Sequence, residues 1–253
     1  MIISEEGWTQ FIEKLRKVND QATNKVREYI KKYGFPNTRE EINALIDYAF
    51  AIATMYGEAA AELAAEMYEA IATASEVVVP SAVPAVTPTI DEVAKNIVGT
   101  LKSGNEEIVS SSIGRLVKQT GVDTTMQNAL RDGAQWAWIP HGETCAFCIA
   151  LASRGWQRAT KTAIKNGHAE HIHPNCDCTY AVRFDPWTQV EGYNPREYRD
   201  MYDNAAEGNS HEKINAMRRE FYQQNKDEIN AQKRDAYEKR KERESSAAEE
   251  LDV

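Results

Sequence analysis

The sequence predicts a mainly α-helical protein. It reads as a long helical hairpin, a helical core, a small αβ module tied together at its cysteines, and a charged C-terminal helix. Three observations lead there. Apolar residues recur at three- and four-residue steps through the first seventy-odd positions. Pro80, Pro84 and Pro88 then interrupt helical structure. Finally, all four cysteines fall in two short stretches, "CAFC" (Cys145 to Cys148) and "HIHPNCDC" (His171 to Cys178).

The elements follow in order. Trp8, Phe11, Ile12, Leu15, Val18, Ala22, Val26 and Ile30 give residues 4–32 one apolar stripe, with Ser4 as N-cap. "YGFPN" ends that helix. Thr38 and Glu41 match a capping box and open a second helix that runs to about Ser75. Glu58, Glu62, Glu66 and Glu69 line one edge of it among small and apolar residues. That edge reads either as the solvated side of an intramolecular hairpin or as a surface for self-association or a partner. "VVVPSAVPAVTPT" is an extended linker or crossover. Thr89 and Glu92 begin another helix over 91–102, and shorter helices are expected over 105–119 and 123–131, separated by "TG". "QWAWI" and "TYAVRF" read as short strands on either side of the cysteine window. Asn194, Pro195 and Glu197 mark a helix start, and 211–245 reads as one long charged helix. The expected domains are 1–76 (helical hairpin), 77–90 (Pro-rich linker), 91–186 (core with the Cys/His module) and 187–253 (charged helical arm).

Composition narrows the function. Of the 253 residues, 42% are hydrophobic and 27% charged, as in ordinary soluble proteins. The net charge is −9, which gives no sign of tracking along DNA phosphates. "MIISEEGWTQ" lacks the basic-then-apolar pattern of a secretory signal. The most apolar stretch, Ala49 to Ala74, is interrupted by the four glutamates, so no membrane span is expected. The expected surroundings are therefore reducing, where clustered cysteines bind metal or do chemistry rather than form disulfides.

The cysteine spacing points to metal. Structural zinc takes four Cys or His ligands in a tetrahedron. Cys145 and Cys148 grip one side of an ion from a single turn. His173, Cys176 and Cys178 offer three donors for the other two places. Cys176 and Cys178 face one side of a strand, while His173 and Cys176 repeat the CxxC gap. The first ligand set is Cys145, Cys148, Cys176 and Cys178; the competing set exchanges one of the last two for His173, with His171 as a neighbour beyond the ligands. The fold class is thus mainly α with a small zinc-stapled αβ module. A redox CxxC would need a βαβ setting that the sequence lacks. Glu143 and Asp177 stand close by, yet a thiol-rich set closes the tetrahedron and suits structure over catalysis. A metal-dependent HNH-like nuclease is the enzymatic alternative, because "HIHPNC" holds His and Asn; it requires a returning His, and none follows before His211. A zinc-bearing adaptor of the host cell is the third reading.

At these residues the chain resembles a known family. "ETCAFCIALASRG" followed by "HPNCDCTYAV" is similar to the signature of phage minor head proteins of the Mu F-like head morphogenesis type. Cys145, Cys148, Gly155, His173, Pro174, Asn175, Cys176 and Cys178 carry the resemblance, which spans roughly residues 91–185. Asp177 stands where those proteins usually have Arg. The resemblance implies a structural, non-enzymatic component of the virion or procapsid. It implies association with portal or capsid proteins during head assembly in the host cytoplasm.

Overall fold

The computed structural model describes residues 1–142, 144–161, 177–231, 233–234 and 237–238. They fall in two compact units, 1–199 and 200–253.

In the first unit the main elements are β1 (Ile2–Ile3), α1 (Glu5–Tyr33), α2 (Arg39–Ala74), α3 (Ile90–Leu101), α4 (Glu106–Asp132), β2 (Gln135–Ile139), α5 (Ala146–Ala152), β3 (Gln157–Arg158), β4 (Thr179–Arg183) and β5 (Gln189–Val190). The caps read from the sequence are in place. The Ser4 hydroxyl accepts from the Gly7 N–H at 3.1 Å. Thr38 with Glu41, and Thr89 with Glu92, form full capping boxes. Backbone N–H groups of Asn37 and Thr38 hold the Glu41 carboxyl below its ordinary pKa. Glu58, Glu62, Glu66 and Glu69 form the exposed edge of α2, whose other side buries Gly57, Ala60, Ala61, Ala64, Ala65 and Tyr68.

The centre of the bundle is α4, packed against α1, α2 and α3. The expected break at Thr120-Gly121 does not occur: residues 106–132 form one helix. The reason is close packing. A Cβ on Gly121 would stand 3.1 Å from the Ala60 carbonyl, and one on Gly114 would meet Thr23 Oγ1 and the Asn19 carbonyl. Each glycine marks a place where a neighbouring backbone presses in. The helix is also polar yet buried. Ser110, Ser112, Thr120, Thr124 and Thr125 turn their hydroxyls back onto carbonyls three or four residues earlier, so their polarity is satisfied locally.

The segment 77–89 runs extended across this bundle. The Ala82 N–H donates to Glu69 (2.7 Å), the Val83 N–H to Asn128 (2.9 Å) and the Ala85 N–H to Thr124 (2.9 Å). Arg131 donates to the carbonyls of Pro80 and Ser81 while pairing with Asp132. The Tyr68 hydroxyl donates to the same Asp132 at 2.7 Å.

One three-stranded antiparallel sheet has the order β3-β2-β4, and β1 pairs with β5 in parallel. Two core clusters run along the helices. One gathers Val26, Ile30, Leu45, Ala49, Ile52, Val93, Ile97, Val109, Ile113 and Val117. The other lies under the sheet and collects Trp8, Phe11, Tyr68, Met126, Trp136, Trp138, Leu151, Tyr180 and Val182.

The helix α6 (Pro195–Asn204) begins at the expected Asn-Pro start. The second unit carries α7 (Ser210–Gln224), opened by a capping box between Asn209 and Glu212. The expected single helix over 211–245 is interrupted at Asn225, whose side chain donates to the Phe221 carbonyl at 3.0 Å. Helix resumes over 226–231. Asn competes for backbone acceptors in this way, which makes it a natural stop. Among the described residues no helix is long and apolar enough to cross a membrane.

Candidate metal centre

Strand β2 is apolar and aromatic, so it settles on the α1–α2–α4 bundle with Trp136 and Trp138 almost fully buried. Pro140 and Gly142 (φ 63°) then turn the chain toward Cys145. Cys145 is the N-cap of α5 and makes no side-chain capping bond; Cys148 follows one turn later. The second stretch arrives by strand pairing. In β4, Thr179 sits opposite Ile139 and Tyr180 opposite Trp138. That register sets Cys178, one residue before β4, beside the turn that leaves β2. The His141 N–H points at Cys178 Sγ at 3.5 Å, and the sulfur lies 4.0 Å from the His141 carbonyl.

Cys148 and Cys178 are 1% and 0% exposed and belong to one core cluster, with Cys145 packed against it. The surroundings are rigid. Tyr180 stacks edge-on against both Trp136 and Trp138 at 4.7 Å. The Tyr193 hydroxyl donates to the Ala152 carbonyl at 2.7 Å, and Arg199 to that of Ser153 at 2.9 Å, so the far end of α5 is pinned. Burial pushes the Tyr180 hydroxyl well above its ordinary pKa, with Arg154 opposing and Cys148 reinforcing. Tyr180 therefore stays neutral and serves as packing.

Of the five sequence-predicted ligands, Cys145 is the N-cap of α5, Cys148 lies within it, and Cys178 directly precedes β4. His173 and Cys176 lie outside the described residues, as do His171 and Glu143. Among the described residues no cluster of three or more His, Cys, Asp or Glu side chains gathers as a metal-holding group. Burial in an apolar core by itself disfavours a thiolate, and the His141 N–H is a backbone donor that points at Cys178. The residues that could hold zinc are Cys145, Cys148 and Cys178 with Cys176 or His173.

Asp177 forms an ion pair with Arg16 of α1 at 3.9 Å. A negative charge here faces a cation on the helical bundle and ties the second cysteine stretch to α1. His211, the nearest later histidine, lies at the start of α7 in the second unit.

Sequence reasoning missed one neighbouring construction. Arg183, at the end of β4, lies over the Trp156 ring at 4.6 Å and donates to Gln135, Pro186 and Thr188. The signal was the run "RFDPWT", in which Asp before Pro-Trp-Thr announces a side-chain-capped turn.

The match to known families covers both the helical bundle and the cysteine-bearing sheet: the family model for VG15 protein matches residues 2–205. Comparison with curated proteins and with solved structures finds no match. With most of its length inside that match, the chain belongs to the VG15 protein family, a family of phage genes.

Proposed function

We propose that this phage protein is a structural, non-enzymatic component of the head, built in during morphogenesis through contacts with portal or inner capsid proteins. The observation that carries this reading is the span of the family match. It takes the helical bundle and the cysteine sheet together as one viral unit, and the cysteine stretches within it resemble those of Mu F-like minor head proteins.

Zinc, held by Cys145, Cys148, Cys178 and either Cys176 or His173, would cross-link the turn after β2 to the start of β4. The protein's own residues do the rest. Strands β2 and β4 pair, the aromatic ladder fills the space beneath them, and α5 is pinned by Tyr193 and Arg199. The strands are five residues long, and a metal cross-link would add to what their burial contributes.

The test is mass spectrometry of purified phage heads and of lysates from phage lacking the gene. The expected result is the chain present in heads at low copy, with head assembly impaired without it. A chain confined to the lysate, with normal heads in its absence, would overturn the reading. Plasmid nicking with Mg²⁺ or Mn²⁺ that disappears on His173→Ala would favour the nuclease instead.

A further inference from the structure

A cavity of about 290 Å³ opens beside the turn that follows β2, and three distant stretches of chain build it. The first turns of α1 supply Glu5 and Trp8, the turn after β2 supplies His141, and the stretch from β5 into α6 supplies Glu191, Tyr193 and Tyr198. Its volume suits one side chain rather than a drug-sized ligand. Trp8, in the wall, is 3% exposed, and its indole N–H has no acceptor. A buried donor left unpaired is costly, so this wall is not optimised for packing alone.

The two carboxylates are held close to each other. Glu191 accepts the Glu5 backbone N–H at 3.0 Å, and a Cβ on Gly192 would stand 4.0 Å from the Glu5 carboxyl carbon. Among the described residues neither forms an ion pair, and no Lys or Arg is among those that line the cavity. The chain's own N-terminal ammonium lies near Asp185, at the other end of β1 from Glu5. Like charges so placed repel each other and attract a cation. A divalent metal is a poor fit, because no group of three His, Cys, Asp or Glu gathers among the described residues. An organic cation fits better, since the wall is also aromatic. Tyr193 and Tyr198 stack at 6.0 Å, and the Tyr193 hydroxyl is fixed on the Ala152 carbonyl. Rings and carboxylates together favour a planar guanidinium, which stacks on the one and bonds the other through paired N–H groups.

We propose that this cavity receives an arginine side chain from another protein chain. The guanidinium meets Glu5 and Glu191 and lies against the tyrosine rings. Cys145, Cys148 and Cys178 do not line the cavity, so the site is separate from the candidate metal centre, and it does not depend on the head assignment.

The experiment titrates the full-length chain with Nα-acetyl-arginine amide and follows the indole N–H resonance of Trp8 by NMR. Trp187, 80% exposed, serves as the control. Parallel titrations use the uncharged Nα-acetyl-citrulline amide and free arginine. The expected result is a saturable shift at Trp8, half complete at about 1 mM, with none at Trp187 and roughly tenfold weaker binding of the citrulline compound. Glu5→Gln, and Glu191→Gln, which keeps an acceptor for the Glu5 N–H, should each weaken arginine binding roughly fivefold. Their melting temperatures should stay within about 2 °C of wild type. No saturable shift, equal binding of the arginine and citrulline compounds, or unchanged binding in both variants would overturn the proposal. The first two outcomes need only the wild-type chain, so they decide the matter even if a variant misfolds. Free arginine binding more tightly than the blocked residue would make this a small-molecule site and overturn the docking of a partner chain.

Discussion

The two core clusters hold the first unit together by different means. The one around Val26, Leu45, Ile97 and Ile113 is aliphatic and depends on how closely α1, α2 and α4 approach. The one under the sheet is aromatic, carries two cysteines, and depends on strands only five residues long. The first is stabilised by the absence of side chains at Gly114 and Gly121. The second is stabilised by large rings and, in the reading proposed above, by a metal cross-link. A long helix can succeed by close packing of small residues, whereas a short sheet depends on large rings that fill the space beneath it.

The largest effect that separates the two mechanisms should come from Gly114→Val. The added carbons meet Thr23 and the Asn19 carbonyl, and overpacking at a backbone contact should cost about 3 kcal/mol or more in urea unfolding. A loss below about 0.5 kcal/mol would show that α1 and α4 do not rely on this approach.

Next comes Tyr68, in the cluster under the sheet, which bonds Asp132 and meets Phe184 edge-on. Tyr68→Phe should cost about 1.5 kcal/mol. Asp132 keeps its Arg131 partner, so the loss should stop short of that for an abandoned buried charge. The same group gives a pH dependence. Arg131 first, and Tyr68 after it, hold the Asp132 carboxyl below its ordinary value. Its contribution is therefore fully present above the unfolded-state pKa of about 3.9 and is lost as pH falls through the lower folded-state value. Asp132→Asn should flatten that acid limb of the stability profile. The smallest effect is Thr38→Ala, about 1 kcal/mol from a single cap, visible as faster amide exchange in the first turn of α2.

The same contrast explains what could be read from the chain. Caps and apolar stripes are local, so Ser4, Thr38, Thr89 and the limits of α1 and α2 were legible. Gly121 was not, because a glycine that breaks a helix and a glycine that admits Ala60 look alike in one dimension. The helix expected over 211–245 failed at Asn225 for a related reason: charge alternation favours helix, but one side chain captured a carbonyl. In the cysteine module the strands were legible from alternation. The placing of Cys178 beside His141 depends on the β2–β4 register, a long-range pairing that no local pattern displays. The cavity at Trp8 was not legible either, because α1, the turn after β2 and α6 meet only in the fold.

The most direct test of the account is the metal content of the full-length chain, measured by elemental analysis together with amide exchange across β2 and β4. The account predicts about one zinc per chain, and loss of both the zinc and the β2–β4 protection in Cys145→Ser, while α3 amides hardly change. A chain that binds no zinc and keeps those strands equally protected, with or without Cys145, would contradict it.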